Sequence, residues 1–243
     1  RATPDSVDIE IGATGAPASV FQPSAGIVAQ RDATPRAFEA LLRRRETELS
    51  AIRAPAAAAR AAVTAPELGV LGNFSVISSL DASTFATAVT RLRYVGRHIL
   101  VWVDTTAPPE VPDSSLRSLA RLFDEELYLL DEDAFGETSD VDGNGRVHVV
   151  LTPIVNTLTP VGRCSLSGFV SGFFSAHDLY PGTAHANGGE VFYGFVSDSL
   201  GRFGCAHPPS EFSRGIRTAF VHELQHVINY QQHVLRRGGR EEV

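Results

Sequence analysis

The chain is predicted to adopt an α+β fold, and three observations carry that prediction. Short runs of large and β-branched residues at 98–104, 146–155 and 190–196 read as strands. Helical spacing of apolar residues governs 34–52 and 116–130. A long helical stretch then closes the chain, from Ser210 to about Arg236. With 243 residues, 43% of them hydrophobic, there is enough chain to bury a sizeable core without staples. The net charge of -7 argues against a nucleic-acid partner. Apolar runs such as 99–103 fall far short of the roughly 20 residues a membrane span requires.

In chain order, residues 1–32 mix Pro, Gly, Ser and Ala and read as an extended arm or the tail of a preceding module. Thr34 followed by Pro35 is a cap and first-turn pair, and it opens a helix that aligns Phe38, Leu41, Leu42, Leu49 and Ile52. Arg43, Arg44 and Arg45 on that helix read as a solvated face or a partner surface. The stretch "APAAAARAAVTAPE", 54–67, is a low-complexity linker. The boundary therefore falls there, with an arm, helix and linker over 1–66 and a second unit over 67–243. In that unit "HILVWVD" is a buried strand, and Ser114 or Ser115 caps a helix through Leu116, Leu119, Leu122, Phe123, Leu127 and Leu130. "RVHVVLTPIV" and "EVFYGFV" are the next two strands. The final helix, capped by Ser210, buries Phe212, Ile216, Ala219, Phe220, Leu224, Val227 and Val234.

That helix carries the chemistry. His222 and His226 stand at i and i+4, one turn apart on one face, the separation two imidazoles need to reach one zinc ion. Glu223 projects beside such an ion, where a carboxylate takes a proton from metal-bound water. This is an engine for hydrolysing peptide bonds. Completion of the site in the His-Glu-x-x-His-x-x-Gly-x-x-His manner requires Gly at 229 and His at 232. The chain has Asn229 and Gln232 there, with His233 one place late. Glu241 and Glu242 are weak candidates for the third ligand. They follow "RRGG", 236–239, and read otherwise as solvated tail charges.

Asp140, Asp142 and Asn144, with Gly145, match the first half of an oxygen-rich calcium loop. Leu151 stands where such a loop places its bidentate glutamate, so a tight turn into the next strand is the competing reading. Cys164 and Cys205, 41 positions apart, suit one disulfide in an oxidising compartment, against the alternative of two free thiols. The chain opens on Arg1 and has no methionine, which fits export after removal of an N-terminal signal. His177, His185 and His207, in Gly- and Pro-rich loops, are candidates for a substrate cleft or plain loop histidines.

"DVDGNGRVHVVLTPIVN", 140–156, together with "HELQHVINYQQH", 222–233, resembles the secreted zinc metallopeptidases of the hyicolysin type, within the wider zincin group. The similarity runs from about Asn73 to the end. It implies a zincin-like fold in which a twisted mixed β-sheet packs on an active-site helix, with zinc on His222 and His226, Glu223 as general base, and a protein or peptide substrate. It also implies a third ligand, a glutamate, about twenty residues after His226, near position 246, so that the metallopeptidase unit is truncated at its C-terminus. By family analogy the strand after Glu190 would offer its edge to a bound peptide. Two functions follow. One is an exported zinc-dependent endopeptidase. The other is a zincin-like subunit that no longer cleaves and serves as a structural component of an extracytoplasmic complex, periplasmic or membrane-associated, with the N-terminal arm engaging a protein partner.

Overall fold

The structure is a computed structural model that describes residues 33–50, 66–164 and 168–237. The arm, the linker core, Glu241 and Glu242 lie outside the described residues. The α+β reading is met by one six-stranded mixed sheet with helices packed against it. The elements are helix α1 (Ala33–Leu49), strands β1 (Leu71–Ile77), β2 (Phe85–Val95) and β3 (Ile99–Asp104), and helix α2 (Asp113–Leu122). A π-helical turn (Phe123–Leu127) joins α2 to α3 (Tyr128–Phe135). Next come β4 (Val147–Leu151), the short α4 (Pro153–Thr157), β5 (Gly172–Phe174) and β6 (Val191–Gly194). The last helix is α5 (Pro209–Asn229), which runs on into a second π-helical turn (Tyr230–Leu235).

Strand order is β1-β2-β3-β4-β6-β5. The β1–β2, β2–β3 and β5–β6 pairs are antiparallel, and β3–β4 and β4–β6 are parallel. The centre of the sheet is the most apolar part: Ile99, Leu100, Val101 and Trp102 of β3 and all of β6 are buried, as strands covered on both faces require. Strands β1, β2 and β5 lie beyond the three runs read from the sequence. β2 alternates buried Ala88, Thr90 and Leu92 with exposed neighbours, the period of a half-solvated antiparallel strand. β6 sits between β4 and β5, so the strand after Glu190 is internal, and the edge belongs to β5. This corrects the expected docking edge, because a strand paired on both sides has no backbone groups left to offer a peptide.

Helix α5 starts at Pro209, with Pro208 rather than Ser210 in the capping position, since proline at the first turn needs no partner for a missing N–H. Likewise α2 opens at Asp113 behind Pro112, not at Ser114 or Ser115. Phe220 of α5 stacks on Phe123 at 4.2 Å between ring centroids and meets Phe192 of β6 edge-on at 5.8 Å. The helix is thus held between the sheet and the α2–α3 layer.

Helix α1 joins this core. Phe38 and Leu42 are buried within it, and Phe38 meets Phe173 of β5 edge-to-face at 5.4 Å. Arg43 is no part of a solvated face: it is 4% exposed, donates to the Phe174 carbonyl at 3.3 Å and pairs with Glu46 at 2.9 Å. Arg45 donates to the carbonyls of Ala82 and Asp81, and Arg44 alone of the three is exposed. A buried guanidinium is tolerated where a carboxylate and a carbonyl receive its protons. Phe38→Ala removes the aromatic anchor of α1 and is expected to lower stability by about 3–5 kcal/mol in a denaturant titration.

Candidate metal centre

The centre is built from three elements. α5 presents His222 and His226 from successive turns, their Nε2 atoms 3.3 Å apart and their rings perpendicular. α1 brings Glu39, whose Oε1 lies 2.9 Å from His222 Nε2 and 3.0 Å from His226 Nε2. β5 supplies the floor, where the Phe174 N–H donates to Glu223 Oε2 at 2.9 Å. A cavity of about 190 Å³ runs between these elements, with Phe38, Glu39, Gly172, Phe173, His222 and Glu223 in its wall.

The charges are arranged for a cation. Hydrogen bonds from His222 and then His226 hold the Glu39 carboxyl well below the usual carboxylate range. The same bond to Glu39 raises His222. Burial pushes the Glu223 carboxyl up, against the opposing pull of His226 and Arg43, which suits a group that must accept a proton.

The donor set can be tested against a metal. Two imidazoles and one carboxylate are a catalytic zinc set, and donors about 2.0–2.1 Å from a tetrahedral ion are about 3.3–3.4 Å from one another. The three separations here, 2.9, 3.0 and 3.3 Å, approach that spacing, so the residues fit. Three protein donors leave one position for water. Among the described residues His233 does not join the group. It lies in the π-helical turn, where the helix continues without the break that would fold a later histidine back.

Glu39 does not stand out in the sequence. No motif links it to residues 183 and 187 positions away. The one signal is charge within the apolar stripe, because Glu39, Arg43 and Glu46 interleave with Phe38 and Leu42.

A second group gathers the carboxylates of Asp140, Asp142 and Glu190 within 4.8 Å of one another. Asn144 adjoins the group: its Oδ1 accepts from Arg146 N at 2.5 Å and its Nδ2 donates to Asp142 Oδ2 at 2.5 Å. His207 is buried against Phe169 and Phe195, with Glu211 at 3.5 Å, and so is a core residue of the α5 start. His177 and His185 pack against Phe85. Asp178 is buried and accepts from Tyr193 Oη and from the backbone and side chain of Asn187. Cys164 and Cys205 form a disulfide with Cα atoms 6.1 Å apart, and among the described residues no helix is long and apolar enough to cross a membrane.

No family model matches the chain. It is similar to neutral metalloprotease ShpI of Staphylococcus hyicus, 27% identical over 175 residues that make up 72% of this chain. The match spans 37% of the length of that protein.

Proposed function

We propose that the chain is a zinc-dependent peptidase that works outside the cytoplasm on protein or peptide substrates. The observation that carries this reading is the convergence of Glu39, His222 and His226 on one point, with Glu223 next to them on α5. The resemblance to a neutral metalloprotease and the disulfide support it.

In this reading His222 and His226 present neutral Nε2 atoms to the metal, and Glu39 gives the third donor. Zinc, when bound, acidifies a water and polarises the scissile carbonyl. Glu223 receives the proton and returns it to the leaving amine. The Phe174 N–H fixes Glu223 Oε2, which leaves Oε1 as the atom that exchanges the proton. Burial of Glu223 excludes competing water from that exchange.

A second reading, a component that does not cleave, is favoured by one observation. The helix that supplies Glu39 also engages the Phe174 carbonyl on the edge strand through Arg43, so α1 meets the backbone a bound peptide would use.

The test is metal content and turnover in the same preparation. One zinc per chain, cleavage of an unfolded protein, loss on chelation and recovery on zinc addition are expected. Zinc binding without any cleavage would favour the second reading, and absence of both would end the proposal.

A further inference from the structure

The loop between α3 and β4 begins as a cation loop and lacks the glutamate that such loops carry near their end. The fold supplies one from elsewhere. Glu190, at the entry to β6, is 1% exposed and reaches across to the loop, so its carboxylate joins those of Asp140 and Asp142 within 4.8 Å. We propose that Asp140, Asp142 and Glu190 form a second cation site, separate from the α5 histidines and selective for a divalent ion of calcium size.

One observation beyond the clustering of the carboxylates points to a ligand, and two more show that the neighbouring basic side chains are engaged elsewhere. Glu190 Oε1 accepts from Val141 N at 3.0 Å and the Ser139 hydroxyl lies beside the carboxyl, but Glu190 Oε2 is fully buried and no donor reaches it with normal hydrogen-bond geometry. A buried, unpartnered carboxylate oxygen is costly unless a cation or donor meets it. The base beside Asp142 does not meet this need. His148 Nε2 faces Asp142 Oδ2 at 3.4 Å and its Nδ1 accepts from Trp102 Nε1 at 3.0 Å, so both ring nitrogens are directed away from Glu190 Oε2. Arg146, in the same loop, gives Nε to the Gly96 carbonyl and one terminal nitrogen to the Asn144 carbonyl.

The surroundings are shaped to hold the carboxylates. Asp142 Oδ1 and Asp140 Oδ1 accept from Asn144 N at 3.1 Å and Gly145 N at 2.9 Å, which fixes both rotamers. Gly189 permits the approach of the β6 entry, because a Cβ there would stand 3.0 Å from Asp142 Oδ2. Three carboxylates suit calcium, which accepts flexible oxygen coordination at about 2.3–2.6 Å, better than magnesium, which keeps its waters and demands a tight octahedron. The ion would tie the loop before β4 to the start of β6, two neighbouring parallel strands of the sheet.

The chain has one tryptophan, Trp102, and it bonds the histidine that lines this site. Terbium is therefore the probe, used on the full chain with excitation through Trp102. Tryptophan-sensitised emission is expected, with displacement by calcium at least tenfold more effective than by magnesium, and a rise of several degrees in melting temperature on calcium addition. Asp142→Asn and Asp140→Asn should each weaken terbium binding at least tenfold, whereas Glu39→Ala at the histidine centre should leave it unchanged. Glu190→Gln should do the same as the aspartate variants, and its fold is checked by far-UV circular dichroism. Absence of sensitised emission together with no calcium effect on melting would overturn the site. Equal binding by the wild type and both aspartate variants would do so as well. None of these readouts depends on zinc or on hydrolysis, so the site can fail while the peptidase reading stands.

Discussion

Glu223→Gln is expected to abolish peptide hydrolysis while the protein stays folded and loaded with metal. The change keeps an acceptor oxygen for the Phe174 N–H and the volume of the side chain, so the buried floor of the site is preserved. What it removes is the ability to take a proton, a contribution of about 10²–10⁴ in rate for a positioned general base. Removing a buried charge costs little where burial already pushes the carboxyl up. The checks are kcat/KM on an unfolded protein, zinc content by atomic absorption, and the melting curve. Retained activity would mean that Glu223 is a structural acceptor for β5 and that another group handles the proton.

Glu39→Ala tests what α1 does at the metal. As a third donor, Glu39 completes a set that two imidazoles alone hold poorly, so its loss should weaken zinc binding by at least about 100-fold, more than loss of an outer partner costs, and hydrolysis should fall with it. The substitution leaves Phe38, Leu42 and the Arg43 contacts in place, so the helix should stay docked. Equilibrium dialysis against a zinc buffer reads the affinity directly. The opposite result, zinc retained and hydrolysis raised several-fold, would identify the carboxylate as an occupant of the position that water needs. α1 would then be a cover on a centre completed by another ligand.

Patterns within a few turns are legible in the sequence, and partners distant along the chain are not. The i, i+4 histidines lie one turn apart on a helix that the apolar spacing of Phe212, Ile216 and Phe220 foretells, so spacing alone places the pair on one face. β3 and β4 announce themselves because strands buried on both faces are uniformly apolar. β1 and β2 are half exposed, and their alternation is diluted by Gly72, Asn73 and Arg91, which hides them among loop-like residues. Arg43 reads as solvated because three consecutive arginines usually are. Its burial follows from Glu46 three residues on, a pairing that only a docked helix makes worthwhile. The acidic loop at Asp140 is visible as half a pattern. Its other half, Glu190, stands at the entry to a different strand and has no spacing to betray it.

The distance along the chain between the metal donors also sets when the centre can form. His222 and His226 come together as soon as one helical turn exists, but Glu39 meets them only after a loop of 183 residues has closed. Closing so long a loop is among the most non-local events in the molecule, of the kind that slows folding. Full-strength metal capture therefore reports the meeting of the chain's distant segments. A zinc indicator followed during refolding should lag behind the helical signal of α5 and coincide with the docking of α1.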